Sequence, residues 1–378
     1  MNKTRRNTFK LFGAALALAS LSLPAVATDD ADNDGNDEGF RSGKVFTSSN
    51  AVGANELLVY AAGPGGQLTL QTRLATQGHG TGTGLGNQGA VTLSGSGRHL
   101  FVVNALSNTV STFSVRRSGL TLESTVDSGG QRPISVTEHD GIVYVLNAGG
   151  AGNVAGFRNL RGTLSPLTDS VRPLSASGGT GPAQVGFDND GEVLVVTEKA
   201  TNKLTTYRVR HDGRIGAPVV TASVGVTPFG FAFDRRGNVL VSEAFGGAAN
   251  ASAVSSYGFE DGAQPLAISR SVADTQSAAC WVVVTPNGRY AYVTNTGSGT
   301  ISSYAVQKSG KVSLNQAVAG TAGAGPIDTA IAATGRALFV LNSGSQTISS
   351  FSVGTDGSLA NPGSVAGVPA GANGLAAN

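Results

Sequence analysis

Short apolar runs punctuated by turn residues make up nearly the whole chain. Residues 100–104 read LFVVN, 143–147 VYVLN, 193–197 VLVVT, 239–243 VLVSE, 291–295 AYVTN and 338–342 LFVLN, and a weaker copy, VFTSSN, occupies 45–50. The runs are rich in Val, Ile, Phe and Thr and end at Gly, Asn, Asp or Ser, the pattern of strands joined by tight turns. Pairs such as Asp140-Gly141, Asp212-Gly213, Asn287-Gly288 and Asp356-Gly357 supply the positive φ that hairpins need. The copies begin 43 to 55 residues apart, a spacing that marks a repeat architecture. In the copy at 325–359, four runs separated by turns follow one another: IDTAIA after Pro326, ALFVLNSG, TISSFSV, and Ser358-Leu359. Each repeat is therefore a four-stranded meander of about 40–50 residues, the size of a propeller blade. No later stretch sustains an apolar period of 3.6, which predicts almost no helix.

A single blade buries its faces poorly, and a ring of them gives a continuous core. The first copy has no opening strand, whereas GANGLAA at 371–377 reads as an opening strand with nothing after it. The prediction is an all-β, seven-bladed β-propeller over residues 44–378, with strands from the two chain ends sharing one blade so that no sheet edge is left free.

The first 27 residues read as an export signal. Lys3, Arg5, Arg6 and Lys10 precede the apolar run LFGAALALASLSL, and Ala25-Val26-Ala27 is a small-x-small cleavage site. Residues 4–10 also resemble a twin-arginine signal, so ordinary secretion and twin-arginine export both remain open. The expected location is periplasmic or extracellular. Residues 28–43 form an acidic linker, expected to be disordered. Asp30, Asp32, Asp34 and Gly35 match the start of a calcium loop, but Arg41 stands where the bidentate Glu belongs.

Loss of the leader takes away four of 26 basic residues and none of 24 acidic ones, leaving 22 against 24. A balance near −2 gives no footprint for nucleic acid, and no later stretch is long enough to span a membrane. Cys280 is the single cysteine, so no internal disulfide forms. A closed ring makes a monomer the expectation.

Taken together, the YVTN tetrapeptide at 292–295, the seven repeats and the Pro-opened inner strands resemble the YVTN/lactonase-like propellers, the family of bacterial 6-phosphogluconolactonase and carboxymuconate cyclase. The resemblance spans roughly 44–378 and is strongest at 181–209, GPAQVGFDNDGEVLVVTEKATNKLTTYRV. It implies a ligand site where the inner strands begin. Catalytic members tend to carry Gly-Pro-Arg-His at the head of an inner strand. Here the matching positions are Gly181-Pro182-Ala183-Gln184, which puts a histidine base at this blade in doubt.

Aligning the blades at the opening Pro gives one ring of mouth residues, among them Gln184, Trp281 and Asp328, and another one position earlier that includes Phe229, Cys280 and Asn373. Arg132 directly precedes Pro133. Lactone hydrolysis needs a base for water, donors for the oxyanion and partners for hydroxyls. Asp328, Glu198 and Glu243 are the candidate bases. Arg132, Gln184, Phe229, Trp281, His79 and Asn373 are the candidate substrate contacts. A structural role, binding Lys or Arg or backbone amides of the next blade, is the favoured reading of Glu198 and Glu243, and Trp281 is expected to pack on Phe229. His99, His139 and His211 fall in or beside hairpin turns, which leaves His79 as the one histidine placed at the funnel. Gly84-Leu85-Gly86-Asn87-Gln88-Gly89 satisfies GxGxxG, but a strand follows it, so it reads as a turn and not a dinucleotide loop. No cofactor and no metal set is expected. The sequence points to an exported lactonase-like hydrolase or cyclase acting on an unphosphorylated lactone or carbohydrate-like ligand. The alternative is a non-catalytic binding propeller that holds a protein partner on its loop face.

Overall fold

Glycines at positive φ, among them Gly141 (+79°), Gly213 (+85°), Gly288 (+70°) and Gly357 (+80°), reverse the chain between apolar runs, and the runs pair as strands. The structure, a computed structural model, describes residues 43–63, 66–260 and 263–378. The expected leader (1–27), and the expected linker (28–43) with its calcium-like run apart from Gly43, lie outside the described residues.

Seven antiparallel sheets form. Numbered from the blade that holds both chain ends, the innermost strands of blades 1 to 7 are Asn373–Ala377, Val91–Leu93, Pro133–His139, Pro182–Phe187, Pro228–Phe233, Ala279–Val284 and Pro326–Ile331. Three further strands follow outward in each, and blade 3 adds a short fifth, Arg172–Pro173, paired to Asn153–Leu160. Each innermost strand touches those of its two neighbours, and the contact of blade 7 with blade 1 closes the ring. Among the described residues no α-helix forms, and no helix is long and apolar enough to cross a membrane.

The closing blade is built as the sequence predicts. Asn373–Ala377 pairs antiparallel with Lys44–Ser48 through Val45↔Ala377 and Phe46↔Ala376. Thr47 Oγ1 donates to the Gly374 carbonyl at 2.6 Å. The chain ends are tied further by Lys44 N–H to Asn378 Oδ1 at 2.7 Å. The core lies between blades: Tyr292 and Ile301 of blade 6, for example, pack on Leu338, Val340 and Phe351 of blade 7. Each sheet is thus stabilised by its neighbours, as in other repeat folds.

The repeat signature is structural. Its last residue pairs with the first of the inner strand: Pro133↔Asn147, Ala279↔Asn295 and Pro326↔Asn342. The asparagine amide then donates to a hydroxyl seven residues on, Asn104 to Ser111 and Asn295 to Ser302, both at 2.8 Å, and Asn342 to Ser349 at 2.9 Å. The signature tyrosine bolts neighbouring blades together: Tyr144 Oη donates to the Gly213 carbonyl at 2.9 Å and Tyr292 Oη to that of Gly357 at 3.1 Å. In blades 4 and 5 the asparagine position is taken by Glu198 and Glu243, which pair with Pro182 and Pro228. The blade 4 copy therefore runs one residue later than the 193–197 reading, because its hydrophobic run is one residue longer before the polar latch.

Candidate functional site

The mouth of the ring lies where the inner strands begin. In blades 3 to 7 the pairing slips just after the opening residue, for instance between Pro182 and Gln184 and between Pro326 and Asp328. Such a bulge re-aims the side chains on either side of it. The residues at the slip in blades 4 to 6, Ala183, Phe229 and Cys280, form an apolar collar with Trp281, and Ile327 packs against it. The Phe229 and Trp281 rings lie 5.1 Å apart.

One position further on, side chains stitch blade to blade. Ser135 Oγ accepts the Val185 N–H at 3.2 Å. Gln184 accepts from Phe231 N–H at 2.7 Å and donates to its carbonyl at 3.0 Å. Asp328 accepts the amides of Thr329, at 2.8 Å, and Leu375, tying blade 7 to the C-terminal strand. Asp328 is 1% exposed, and its Oδ2 has no partner. Burial holds its carboxyl well above the usual carboxylate range, and the two amides oppose that rise only in part.

Blade 5 breaks the stitching pattern, and the break explains the centre of the ring. Its residue at this position, Gly230, has no side chain to offer Val282. Gln88 takes over: its Oε1 accepts the Val282 N–H at 3.2 Å and its Nε2 donates to the Val282 carbonyl at 2.9 Å. A Cβ on Gly230 would lie 2.1 Å from Gln88 Oε1. Gln88 N–H also donates to the Ala183 carbonyl at 3.1 Å. The Asn87 amide donates to the Ile134 carbonyl, and Trp281 Nε1 donates to the Asn87 carbonyl at 2.7 Å. One loop ahead of blade 2 thus bonds to blades 3, 4 and 6, which it can do only by lying across the axis. The GxGxxG segment, expected to be a plain turn, is a plug. Beyond it a cavity of about 200 Å³, lined in part by Gly89, Gln184, Phe187 and Phe231, opens toward the far face.

Glu198 and Glu243 are fully buried. Glu198 accepts from Ser175 N–H at 3.0 Å, Thr201 Oγ1 at 2.8 Å, Thr205 Oγ1 at 2.6 Å and the Ser175 hydroxyl. Glu243 accepts from Gly225 N–H at 2.8 Å, Ser271 Oγ at 2.6 Å and the Ser255 hydroxyl. His79 is exposed on the mouth face between blades 1 and 2, where its Nδ1 lies 3.1 Å from the Val52 carbonyl. Asn373 is buried with its Oδ1 unpartnered. Arg132 is exposed and sits at φ +53°, a sparsely populated region for a non-glycine residue, held by its N–H to Asn108 Oδ1 at 2.7 Å. His99, His139 and His211 line depressions on the opposite face.

The sequence reading missed Lys199. It follows the latch Glu198 on the turn at the end of the second strand of blade 4, and its half-buried ammonium sits 4.6 Å from the Phe229 ring centroid. It donates to the carbonyls of Gly86 on the plug and, at 3.2 Å, of Pro182. Burial lowers the ammonium to about 8, the Cys280 thiol opposing and Arg132 adding to the fall. The thiol itself is pushed up to about 11 by burial, the behaviour of an inert core cysteine. The structure therefore brings Lys199, Phe229, Trp281 and the collar together at one mouth. Gln184 and Asp328 lie a layer deeper in the blade seams, and Glu198 lies behind Lys199 in the latch.

The fold is shared widely. A periplasmic gluconolactonase of Pseudomonas aeruginosa superimposes with a TM-score of 0.66 at 18% identity, covering 88% of this chain and 99% of that one. A protein of Bacteroides uniformis provisionally assigned as a 6-phosphogluconolactonase gives 0.69 at 17% identity, over 88% and 99%. A Desulfotomaculum acetoxidans protein of unknown function gives 0.68 at 13%, over 89% and 99%. No curated protein matches in sequence. The family model described as "Lactonase, 7-bladed beta-propeller" matches residues 151–244 and 250–372, more than half of the chain, and with the seven sheets and the plugged mouth in place the chain belongs to that lactonase propeller family.

Proposed function

We propose that this propeller is exported and hydrolyses, or forms, a small unphosphorylated lactone at the mouth of the ring. The observation that carries this reading is the family match from the outer strands of blade 3 through blade 7, a span that includes Lys199, Phe229 and Trp281. A ring-shaped ligand of the size of an aldonolactone suits an apolar collar flanked by polar groups. Likeness to a periplasmic gluconolactonase and the signal-like leader support an exported, unphosphorylated substrate. Of the three carboxylates proposed as base, Asp328 alone among them has an oxygen free of donors, and its raised pKa suits proton transfer near neutral pH. Glu198 and Glu243 hold three or four donors each, which favours a latch role for them. Gln184, His79, Asn373 and Arg132 remain substrate contacts in this proposal.

A binding propeller without turnover is the second reading, and the loop lying across the axis favours it. The two are separated by following acid release from a panel of aldonolactones and aromatic lactones with the mature protein, alongside Asp328→Asn, Glu198→Gln and Glu243→Gln. Turnover lost in Asp328→Asn with the fold intact supports the enzyme. No turnover above buffer on any lactone sinks it.

A further inference from the structure

On the far face, between blades 5 and 6, lies a cavity of about 460 Å³, room for a small organic ligand. Three turns meet there. The turn between the first two strands of blade 5 brings Arg235 and Arg236, its counterpart in blade 6 brings Arg289, and the hairpin into the outer strand of blade 6 brings Lys308. All four side chains are exposed. Among the described residues the ion pairs are Arg73–Glu56, Arg116–Glu123, His139–Asp140, Arg172–Asp169 and Arg214–Asp212, and none of the four cations takes part in one. Asp234 is the one carboxylate in the lining, and it is committed to its own turn. It is buried, its Oδ1 accepts the N–H groups of Arg236 at 2.7 Å and Asn238 at 3.0 Å, and its Oδ2 accepts Asn238 Nδ2 at 2.8 Å.

The cations are placed by the fold. A Cβ on Gly288 would lie 2.9 Å from Arg235 Cγ, so the Arg235 stem lies across the blade 6 turn whose next residue is Arg289. The Arg289 guanidinium in turn sits 5.7 Å from the Tyr290 ring centroid. Nor does the turn itself require arginine. The equivalent turn of blade 4 reads Asp188-Asn189-Asp190-Gly191-Glu192, against Asp234-Arg235-Arg236-Gly237-Asn238 in blade 5. Asp188 does the same local job, accepting the N–H groups of Glu192 at 2.8 Å and Val193 at 3.0 Å. A cleft lined by one sign of charge focuses its field and concentrates counter-ions.

We propose that this cavity is a second ligand site, which takes a small organic anion bearing two or more phosphate or carboxylate charges on Arg235, Arg236, Arg289 and Lys308. Guanidinium forks match both kinds of oxyanion in two-point hydrogen bonds, and an ammonium adds a point charge. Three forks and an ammonium in one cavity exceed what a single carboxylate neutralises, which selects a multivalent anion. The site is separate from the mouth and does not rest on the lactone reading.

The test is calorimetric titration of the mature protein with inorganic pyrophosphate, with citrate and with acetate, all at one ionic strength. Pyrophosphate or citrate binds at one equivalent, and acetate does not. Binding of pyrophosphate assigns the site to phosphate esters, and binding of citrate alone assigns it to polycarboxylic acids. Arg235→Gln and Arg289→Gln each weaken binding about tenfold, and the double variant abolishes it. Arg117→Gln removes the same charge from an exposed residue on the blade 2 hairpin of the same face, outside the cavity, and leaves the affinity unchanged. All of these positions are exposed, so thermal melts confirm that the variants stay folded. No binding of pyrophosphate or citrate above acetate overturns the proposal. So does a loss in Arg117→Gln equal to that in Arg289→Gln, which reports the charge of the whole face. None of these substitutions touches the mouth, so either result leaves the lactone reading where it stood.

Discussion

Replacing Lys199 with methionine gives a stability difference from wild type whose dependence on pH follows from the geometry. In the folded chain burial lowers the ammonium to about 8, against about 10.4 in an unfolded chain. Between those values the unfolded state holds a proton that the folded state has released, so unfolding free energy rises with pH. The stability contribution of Lys199 is thus fully present above the unfolded value and lost as pH falls through 8. The full shift corresponds to roughly 3 kcal/mol, and because the side chain is partly open to solvent we expect about 1–2 kcal/mol. Methionine keeps the apolar stem against Phe229 and removes the titration. It also strips two carbonyls of a donor, a loss that does not depend on pH. The comparison is therefore one of slopes: from pH 7 to pH 10, wild type gains about 1–2 kcal/mol on Lys199→Met. Urea midpoints at matched m-values measure this, and other groups that titrate in the range cancel between the two proteins. A difference that stays flat with pH, or a wild type that loses ground, refutes the claim that Lys199 is desolvated.

Four further outcomes follow from the seams. Asp328→Asn is near-isosteric with the carboxyl, whose pKa burial raises, and removes its titration. A carboxyl with a raised folded pKa contributes stability below its unfolded value that is lost as pH rises through the folded one, so the variant gains on wild type from about pH 4 upward in urea titrations. Asp328→Ala leaves the Leu375 and Thr329 amides buried without an acceptor and costs about 1–3 kcal/mol by the same measurement. Gly230→Ala brings a Cβ to 2.1 Å from Gln88 Oε1 and 2.5 Å from the Cys280 carbonyl. It destabilises by about 1–3 kcal/mol, and Gln88→Ala in the same chain recovers part of the loss. Equal additive losses in the double variant refute the plug contact. Deletion of 373–378 removes the inner strand of blade 1 and exposes Lys44–Ser48 as a free edge; size-exclusion chromatography then shows aggregate, and a monomer of native circular dichroism contradicts the closure argument.

The architecture was legible because each blade repeats the same local instruction. A β-rich run of five, a polar latch and a Gly turn recur with enough regularity to count blades, and the missing opening strand at one end answered the surplus strand at the other. The latch position misled because its chemistry is shared. Asn295 and Glu243 stand at equivalent places, and an acidic residue where the repeat expects an amide reads as a departure with a purpose. In the fold both do one job, gathering hydroxyls from the outer strands of their own blade. Asn295 takes Ser302, and Glu243 takes Ser255 and Ser271. Hydroxyls seven residues past the latch were visible in the sequence of three asparagine blades, and Thr205 stands at the same spacing from Glu198, the signal that this carboxylate had a local partner; Ser255 lies 12 residues past Glu243 and escapes that spacing.

Repetition also sets what stays hidden. A residue that acts within its own blade, or on the next, recurs with the period and can be aligned. A residue that crosses the axis acts once, and no other copy shows it. Gln88 and Val282 are 194 positions apart, and their contact occupies the place that Gly230 leaves open, where Ser135, Gln184 and Asp328 stitch blades 3, 4 and 7 to their neighbours. Lys199 is a similar case: its side chain reaches the plug carbonyl of Gly86, 113 positions away, from a turn whose counterparts in blades 2, 3, 5, 6 and 7 are the small residues Ala105, Ala148, Ala244, Thr296 and Ser343. In a ring of similar units the structural positions are those the repeat predicts. Chemistry peculiar to this chain collects where the repeat fails, at the glycine without a side chain, the loop across the axis and the lysine that reaches that loop.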